Sequence, residues 1–261
     1  MTRALVFDSG VGGLTIVEAI RRAAPGWCVD FAADSGFFPY GVKTDEELRN
    51  RLPGLCARLT AIARPDVLVI ACNTASTLSL QDIRAAVSVP VVGTVPAIKP
   101  AAEQTRTGVI GLLATPGTVR RAYLDDLERR FAAGKTVIRR GSAGLVDIAE
   151  RAVRGQPVDQ AQVEYAIRPL FDPPAGPRID IVVLACTHFP LIRSAIALAC
   201  PPGVRLIDTG DAVARQAVHV APGRLASGEA KAYVTGGTAN RIAMQTALAR
   251  FSFNSVEAVD L

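Results

Sequence analysis

The sequence predicts an α/β protein: two similar, pseudo-symmetric domains with mostly parallel sheets flanked by helices. Three observations carry this. Two apolar runs recur in nearly the same phrase, DVLVIACNTAS at 66–76 and DIVVLACTHFP at 180–190. Each is an Asp, four apolar residues, then Ala-Cys and small residues, and an unbroken run of that kind reads as a strand buried on both faces. Strand-like and helix-like runs alternate along the chain, as parallel sheets with right-handed crossovers require. Finally, three landmarks recur in the same order, at offsets of roughly 105–115 residues, so the halves are read as repeats.

In chain order, 4–7 is a short apolar strand ending in Asp8-Ser9-Gly10-Val11-Gly12-Gly13, and a helix pattern follows from Leu14 to Ala23. Such a turn before a helix presents backbone N–H groups to an anion. It is neither a dinucleotide fingerprint nor a Walker loop, and a carboxylate fits it better than a pyrophosphate. Residues 28–33 form a second strand. Asp34 to Gly41 holds Pro and Gly too close together for regular structure, so it is a loop carrying Tyr40. A helix over 44–63 opens with Thr44 and Glu47 at capping-box spacing. The Cys72 strand leads into a helix from Asn73 to Val87, and 89–95 is a strand ending at Pro96.

After Lys99-Pro100 the pattern restarts. Residues 107–119 (TGVIGLLATPGTV) give a strand, a Thr115-Pro116-Gly117-Thr118 turn and a helix over 119–132. A strand at 136–139, helices at 143–154 and 159–171 and a Pro/Gly loop at 172–177 lead to the Cys186 strand. Residues 204–213 echo 89–98. The tail offers a helix at 209–219, a strand at 231–235 and a helix at 238–250, and is too short to stand alone. The expected domains are therefore 1–98 with 209–261, and 99–208.

At 261 residues, 49% hydrophobic and 20% charged, the chain can bury a large core, which excludes disorder. The net charge of +5 is spread along Arg-rich solvated faces, so no nucleic-acid partner is expected. No run reaches the ~18 apolar residues of a membrane helix. Met1-Thr2-Arg3 leads straight into a strand, without a secretory signal, so the expectation is a cytoplasmic protein away from any membrane. A reducing compartment keeps the five cysteines (28, 56, 72, 186, 200) free. No Cys-x-x-Cys pair and only two histidines argue against a disulfide framework or a metal site.

In open parallel sheets ligands bind beyond the carboxyl ends of the strands, where Cys72 and Cys186 fall. A thiol becomes a base when a helix N-terminus or a neighbouring cation favours its thiolate, and both cysteines precede expected helix starts. His188, two residues after Cys186, can exchange its proton; Asp8, ending the neighbouring strand, can do so for Cys72. Two thiols in equivalent places suit a reaction that takes a proton from one face of a carbon and returns one to the other, which is racemisation or epimerisation. The four lysines (43, 99, 135, 231) include no convincing Schiff-base setting, so no cofactor is expected. Cys28, Cys56, Cys200 and His219 lack polar neighbours and are read as structural.

The blocks VFDSGVGGLTI at 6–16, PYG at 39–41, VIACNTAS at 69–76, GLLATPGTV at 111–119 and LACTHFPLI at 184–192 resemble those of the bacterial glutamate racemases, cofactor-independent members of the aspartate/glutamate racemase superfamily. They span nearly the whole chain in the family's order. The resemblance implies two α/β domains with the active site in the cleft between them, and homodimers. It implies Cys72 acting on the α-proton of D-glutamate and Cys186 on that of L-glutamate. Asp8 and His188 are the catalytic helpers it suggests. Asp8-Ser9, Tyr40-Gly41, Asn73-Thr74 and Thr187-His188 fall at substrate-holding positions, joined by Thr115 and Thr118 of the 111–119 block. Asp34 and Glu150 occupy positions of supporting carboxylates. D-Glutamate would feed peptidoglycan synthesis. Ala185 stands where the family has glycine, and the segment before Glu150 is weaker than the family pattern. No N-terminal extension like that of members activated by a cell-wall precursor is present, so no such activation is expected. The rival readings are a racemase of aspartate or hydantoins, a cysteine hydrolase using Cys186 with His188, and a two-lobed amino-acid-binding protein. A hydrolase leaves Cys72 unexplained, and a binding protein needs neither thiol.

Overall fold

The first strand, β1 (Arg3–Asp8), is wholly apolar between its end residues and is covered on both faces. Around it the computed structural model, which describes residues 2–221 and 228–259, builds one of two units: Met1–Thr94 with Gly210–Leu261. Its elements are α1 (Leu14–Ala23), β2 (Cys28–Ala33), α2 (Asp45–Ala63), β3 (Val67–Ile70), α3 (Asn73–Ala86) and β4 (Val91–Gly93). The second unit, Val95–Thr209, holds α4 (Ile98–Gln104), β5 (Val109–Ala114), α5 (Pro116–Val119), α6 (Ala122–Phe131), β6 (Thr136–Gly141), α7 (Gly144–Val153), α8 (Gln160–Ile167), β7 (Ile181–Leu184), α9 (Arg193–Ala199) and β8 (Arg205–Ile207). The chain then returns to the first unit with α10 (Gly210–Val220), β9 (Lys231–Thr235), α11 (Gly237–Ala249) and β10 (Ser255–Val259).

Among the described residues every strand pair is parallel. The first unit's sheet runs β10-β9-β2-β1-β3-β4 and the second's β6-β5-β7-β8. Parallel strands must be covered on both faces. In the first unit Leu48, Leu52, Leu55 and Leu59, at helical spacing along α2, pack on Leu5, Phe7, Leu68 and Ile70. In the second, Leu124 and Leu127 of α6 pack on Ile110, Leu112, Ile181 and Val183. Among the described residues no helix is long and apolar enough to cross a membrane.

The capping box at α2 forms in both directions: Glu47 N–H donates to Thr44 Oγ1, and Thr44 N–H to the Glu47 carboxylate. Elsewhere local geometry departs from the expectation. The segment expected as a loop from Asp34 to Gly41 holds two short 3₁₀ turns, Ser35–Phe37 and Tyr40–Val42, each with a glycine at its centre and with Pro39 between them. The helix expected over 119–132 is two, α5 and α6, with Arg120 and Arg121 between them. The helix expected over 159–171 ends at Ile167 and closes in a 3₁₀ turn carrying Pro169. No α-helix starts directly after Cys186: a 3₁₀ turn over Phe189–Ile192, with Pro190 inside it, comes before α9. Strand β10 was not signalled, since its mostly half-buried residues SVEAV lack a strong apolar run.

Candidate active site

Register fixes what meets at the strand ends. In the first unit Phe7 of β1 lies opposite Ile70 of β3, and the ladder runs one step further through Ala71 N–H to Phe7 O (2.8 Å), which sets Asp8-Ser9 beside Cys72. In the second unit Leu113 of β5 lies opposite Leu184 of β7 and Ala185 N–H reaches Leu113 O (2.7 Å), which sets Thr115 beside Cys186. The two cysteines thus occupy the same place in two similar sheets.

Cys72 is the N-cap residue of α3, with extended backbone and a side chain that makes no capping bond. Its sulfur therefore stays at the positive end of a 14-residue helix, where a thiolate is favoured. Ser9 Oγ lies 3.9 Å from Cys72 Sγ and 3.2 Å from Asp8 Oδ1, so serine stands between carboxylate and thiol. Ser9 N–H also donates to Asp8 Oδ1 (2.6 Å), while Leu14 and Thr15 N–H close turns on Val11 and Gly12. These N–H groups, expected to face an anion, are used inside the turn. Gly13 is required for close approach: a Cβ there would lie 2.9 Å from Asp8 Cβ and 3.2 Å from Ala71 Cβ. Asn73 and Thr74 are buried in the first turn of α3, and Asn73 Oδ1 accepts no hydrogen bond in the protein. A buried amide oxygen in that state is an acceptor suited to a donor such as an ammonium group.

Asp34 is fully buried and accepts four hydrogen bonds, from Tyr40 Oη (2.5 Å), Arg51 Nε (2.7 Å), Arg51 Nη2 (2.8 Å) and Thr235 Oγ1 (2.5 Å). Burial, and the Asp34 charge beside it, hold the Tyr40 hydroxyl well above the ordinary tyrosine range, so it remains a donor. Thr235 Oγ1 also accepts from Gly36 N–H (3.1 Å), which fastens the 34–42 segment to the end of β9. Gly41 is buried beside Tyr40. Arg51 and Thr235 were not singled out in the sequence; a solvated-looking Arg on a helix and a Thr at a strand end carry no local sign of such a partner.

In the second unit the order is different. Cys186 Sγ lies 3.8 Å from His188 Nδ1, and His188 Nε2 lies 2.9 Å from Glu150 Oε1. All three are buried. Desolvation alone would lower the basicity of the His188 ring, but its bonds to Cys186 and Glu150 outweigh this and raise it well above the ordinary value. As an imidazolium the ring donates from both nitrogens, toward the sulfur and toward the carboxylate. The helix N-terminus expected behind Cys186 is absent there, and the histidine supplies the positive charge instead. Thr115 caps α5, accepting from Thr118 N–H (3.2 Å) and donating to Thr118 Oγ1 (3.0 Å); Thr187 is buried beside His188. Ala185 lies in the core of this unit.

The remaining cysteines lie outside these clusters. Burial raises the Cys28 and Cys56 thiols, and that of Cys200 to about 11, which keeps them protonated at neutral pH. His219, read as structural, is exposed in the last turn of α10. Among the described residues no group of three or more His, Cys, Asp or Glu is placed to hold a metal.

The sequence model of the Asp/Glu/Hydantoin racemase family matches residues 13–217. A glutamate racemase of Sphingopyxis alaskensis is 50% identical over 220 residues, 84% of this chain and 82% of that protein. One of Brucella anthropi is 47% identical over 226 residues, 86% and 81% of the two chains. Among solved structures, Escherichia coli glutamate racemase in complex with L-glutamate and the activator UDP-MurNAc-Ala superposes with a TM-score of 0.91 at 38% identity, covering 99% of this chain and 98% of that one.

Proposed function

The chain belongs to the Asp/Glu/Hydantoin racemase family, and from that premise we propose that it is a glutamate racemase, interconverting L- and D-glutamate by a cofactor-independent mechanism with Cys72 and Cys186 as its two acid–base groups. The single observation that carries the mechanism is the equivalent placement of the two thiols at the ends of β3 and β7, each beside its own proton-handling residues.

With D-glutamate, the Cys72 thiolate takes the α-proton. The C–H electron pair passes into the α-carboxylate-stabilised carbanion, and the Cys186 thiol gives its proton to the opposite face. The enzyme is left with a Cys72 thiol and a Cys186 thiolate, the form that takes the α-proton of L-glutamate. Asp8, through Ser9, and His188, backed by Glu150, return the protons between turnovers. Asn73 Oδ1 accepts from the substrate ammonium. Ser9, Thr74, Thr115, Thr118, Thr187 and the Tyr40-Gly41 segment hold the carboxylates. Asp34 acts at one remove, by fixing Tyr40.

The same reading places the protein in the cytoplasm, where thiols stay reduced, as a supplier of D-glutamate for peptidoglycan synthesis. It takes the protein to be a homodimer; sedimentation at micromolar concentration tests this, and a monomer would overturn that point without touching the reaction. The chain spans 98% of the E. coli chain solved with its activator, so activation of that kind stays open to a direct test with the same activator. One observation favours a second reading: Cys186, His188 and Glu150 have the order of a nucleophile, base and orienting acid. Hydrolysis would need only that unit.

Incubation of the dialysed protein with each glutamate enantiomer in D₂O, without pyridoxal phosphate, should exchange the α-proton by NMR and abolish optical rotation. No exchange with either enantiomer overturns the racemase reading, and exchange of aspartate alone moves it to a sister activity. Cys72→Ser and Cys186→Ser should each slow racemisation by about 10²–10⁴-fold, the usual worth of an acid–base group. Near-normal racemisation in either variant would overturn the two-base mechanism.

A further inference from the structure

Glu150 is a buried carboxylate, and its two oxygens face different partners. Oε1 meets His188 Nε2, while Oε2 accepts from Arg154 Nη2 (3.0 Å), one turn further along α7. We infer that Arg154 is a positioning residue for the Cys186 half-reaction, holding Glu150 ionised and aimed so that His188 stays an imidazolium beside the sulfur. This rests on the two-thiol reading above and deepens it.

A carboxylate with little solvent around it favours its neutral form unless a cation or hydrogen-bond donors hold the charge. Arg154 supplies both in one contact. Its side chain is 41% exposed and that of Glu150 only 5%, so the pair links a surface cation to a buried acid. Without Arg154, the Glu150–His188 pair can settle with the proton shared between two neutral groups, and the sulfur loses its cation. The other charged groups of the elements packed here have their own partners. Arg151 pairs with Asp147 on α7, Glu164 of α8 receives Gln160, and Arg193 of α9 pairs with Asp208. The 3₁₀ turn after His188 (FPLI) carries no charge. At Cys72 a helix end and a Ser–Asp pair stand beside the sulfur.

The test is the pH dependence of iodoacetamide alkylation, read cysteine by cysteine by peptide mass spectrometry on the full-length protein. The thiolate is the species that reacts. Arg154→Gln should slow Cys186 alkylation at pH 7 by about three- to tenfold, up to one pK unit's worth, and leave its rate at pH 10 unchanged. Arg154→Lys should restore most of the rate at pH 7. Cys72, in the other unit and measured in the same digests, should not change. In a Glu150→Gln background, Arg154→Gln should add nothing, because the residue acts through that carboxylate. An unchanged Cys186 profile, equal slowing of both cysteines, or an undiminished effect without Glu150 would each overturn the assignment. Since the readout is thiol reactivity, it stands apart from whether glutamate is the substrate; loss of the racemase reading would appear in the exchange experiment instead.

Discussion

Replacing Asp34 by asparagine removes one charge and turns one acceptor oxygen into a donor. Oδ2 accepts from Tyr40 and Arg51 Nε, and Oδ1 from Arg51 Nη2 and Thr235. Either orientation of an amide therefore sets an NH₂ group against an Arg51 N–H. The tyrosine or threonine hydroxyl can turn to accept from it, but the guanidinium cannot. One charge-assisted hydrogen bond, about 1.5–3 kcal/mol, is lost outright, and the second weakens to an ordinary one. Arg51 is 24% exposed and recovers some hydration, so the range of 3–5 kcal/mol for breaking a buried pair is an upper bound. The expected loss is about 3 kcal/mol, or roughly 6–12 °C in Tm for a protein of this size. Urea and thermal unfolding measure it, with Thr235→Val as a milder companion at about 1 kcal/mol. A loss below about 1 kcal/mol would refute the view that Asp34 is a structural anchor. So would full stability with abolished racemisation, which would make it a chemical group.

Gly13→Ala tests the close approach behind Asp8. Gly13 has a helical φ of −62°, so alanine meets no backbone strain and the cost is crowding alone, about 1–3 kcal/mol by urea unfolding; a change within 0.5 kcal/mol, roughly the size of a neutral surface substitution, would contradict the packing. His188 gives a pH dependence of stability. Its basicity is raised in the folded state, so its contribution is fully present below its ordinary value near 6.5 and is lost as pH rises through the folded value. The stability gap between the native protein and His188→Gln should thus shrink from about pH 6 to pH 9; a constant or widening gap would contradict the imidazolium.

Local rules made much of the fold readable. The Thr44–Glu47 box, the two double-sided strands before Cys72 and Cys186, and the turn at Thr115–Thr118 each depend on residues within a few positions of one another. The cysteine, aspartate and histidine of the site were legible for the same reason, through repetition and adjacency. What escaped depends on distant pairs. Thr235 meets Asp34 across 201 positions, and Arg51 meets it across 17 with no periodic relation. Arg154 has the i,i+4 spacing of ordinary surface ion pairs, and only the burial of Glu150 sets it apart. β10 joins the sheet through β9, so its pairing depends on a partner 24 residues away rather than on its own composition. The different proton partners of the two sulfurs, His188 for Cys186 and Asp8 for Cys72, were legible by adjacency, whereas the 3₁₀ turn over Phe189–Ile192, where the repeat suggested a helix start, was not.

The route of the chain has a consequence for its synthesis. Val95–Thr209 is one unbroken stretch, whereas the other unit is assembled from the two ends of the chain. Domains fold as units while the chain emerges from the ribosome. The Cys186 sheet and its His188–Glu150–Arg154 relay are thus complete in sequence while β9 is still unmade. The neighbours of Asp34 wait longer, because Thr235 and the strand that pairs with β2 are made only after the whole of Val95–Thr209. A chain that stops before residue 231 would carry a finished Cys186 half and a Cys72 half whose buried aspartate lacks one of its four donors.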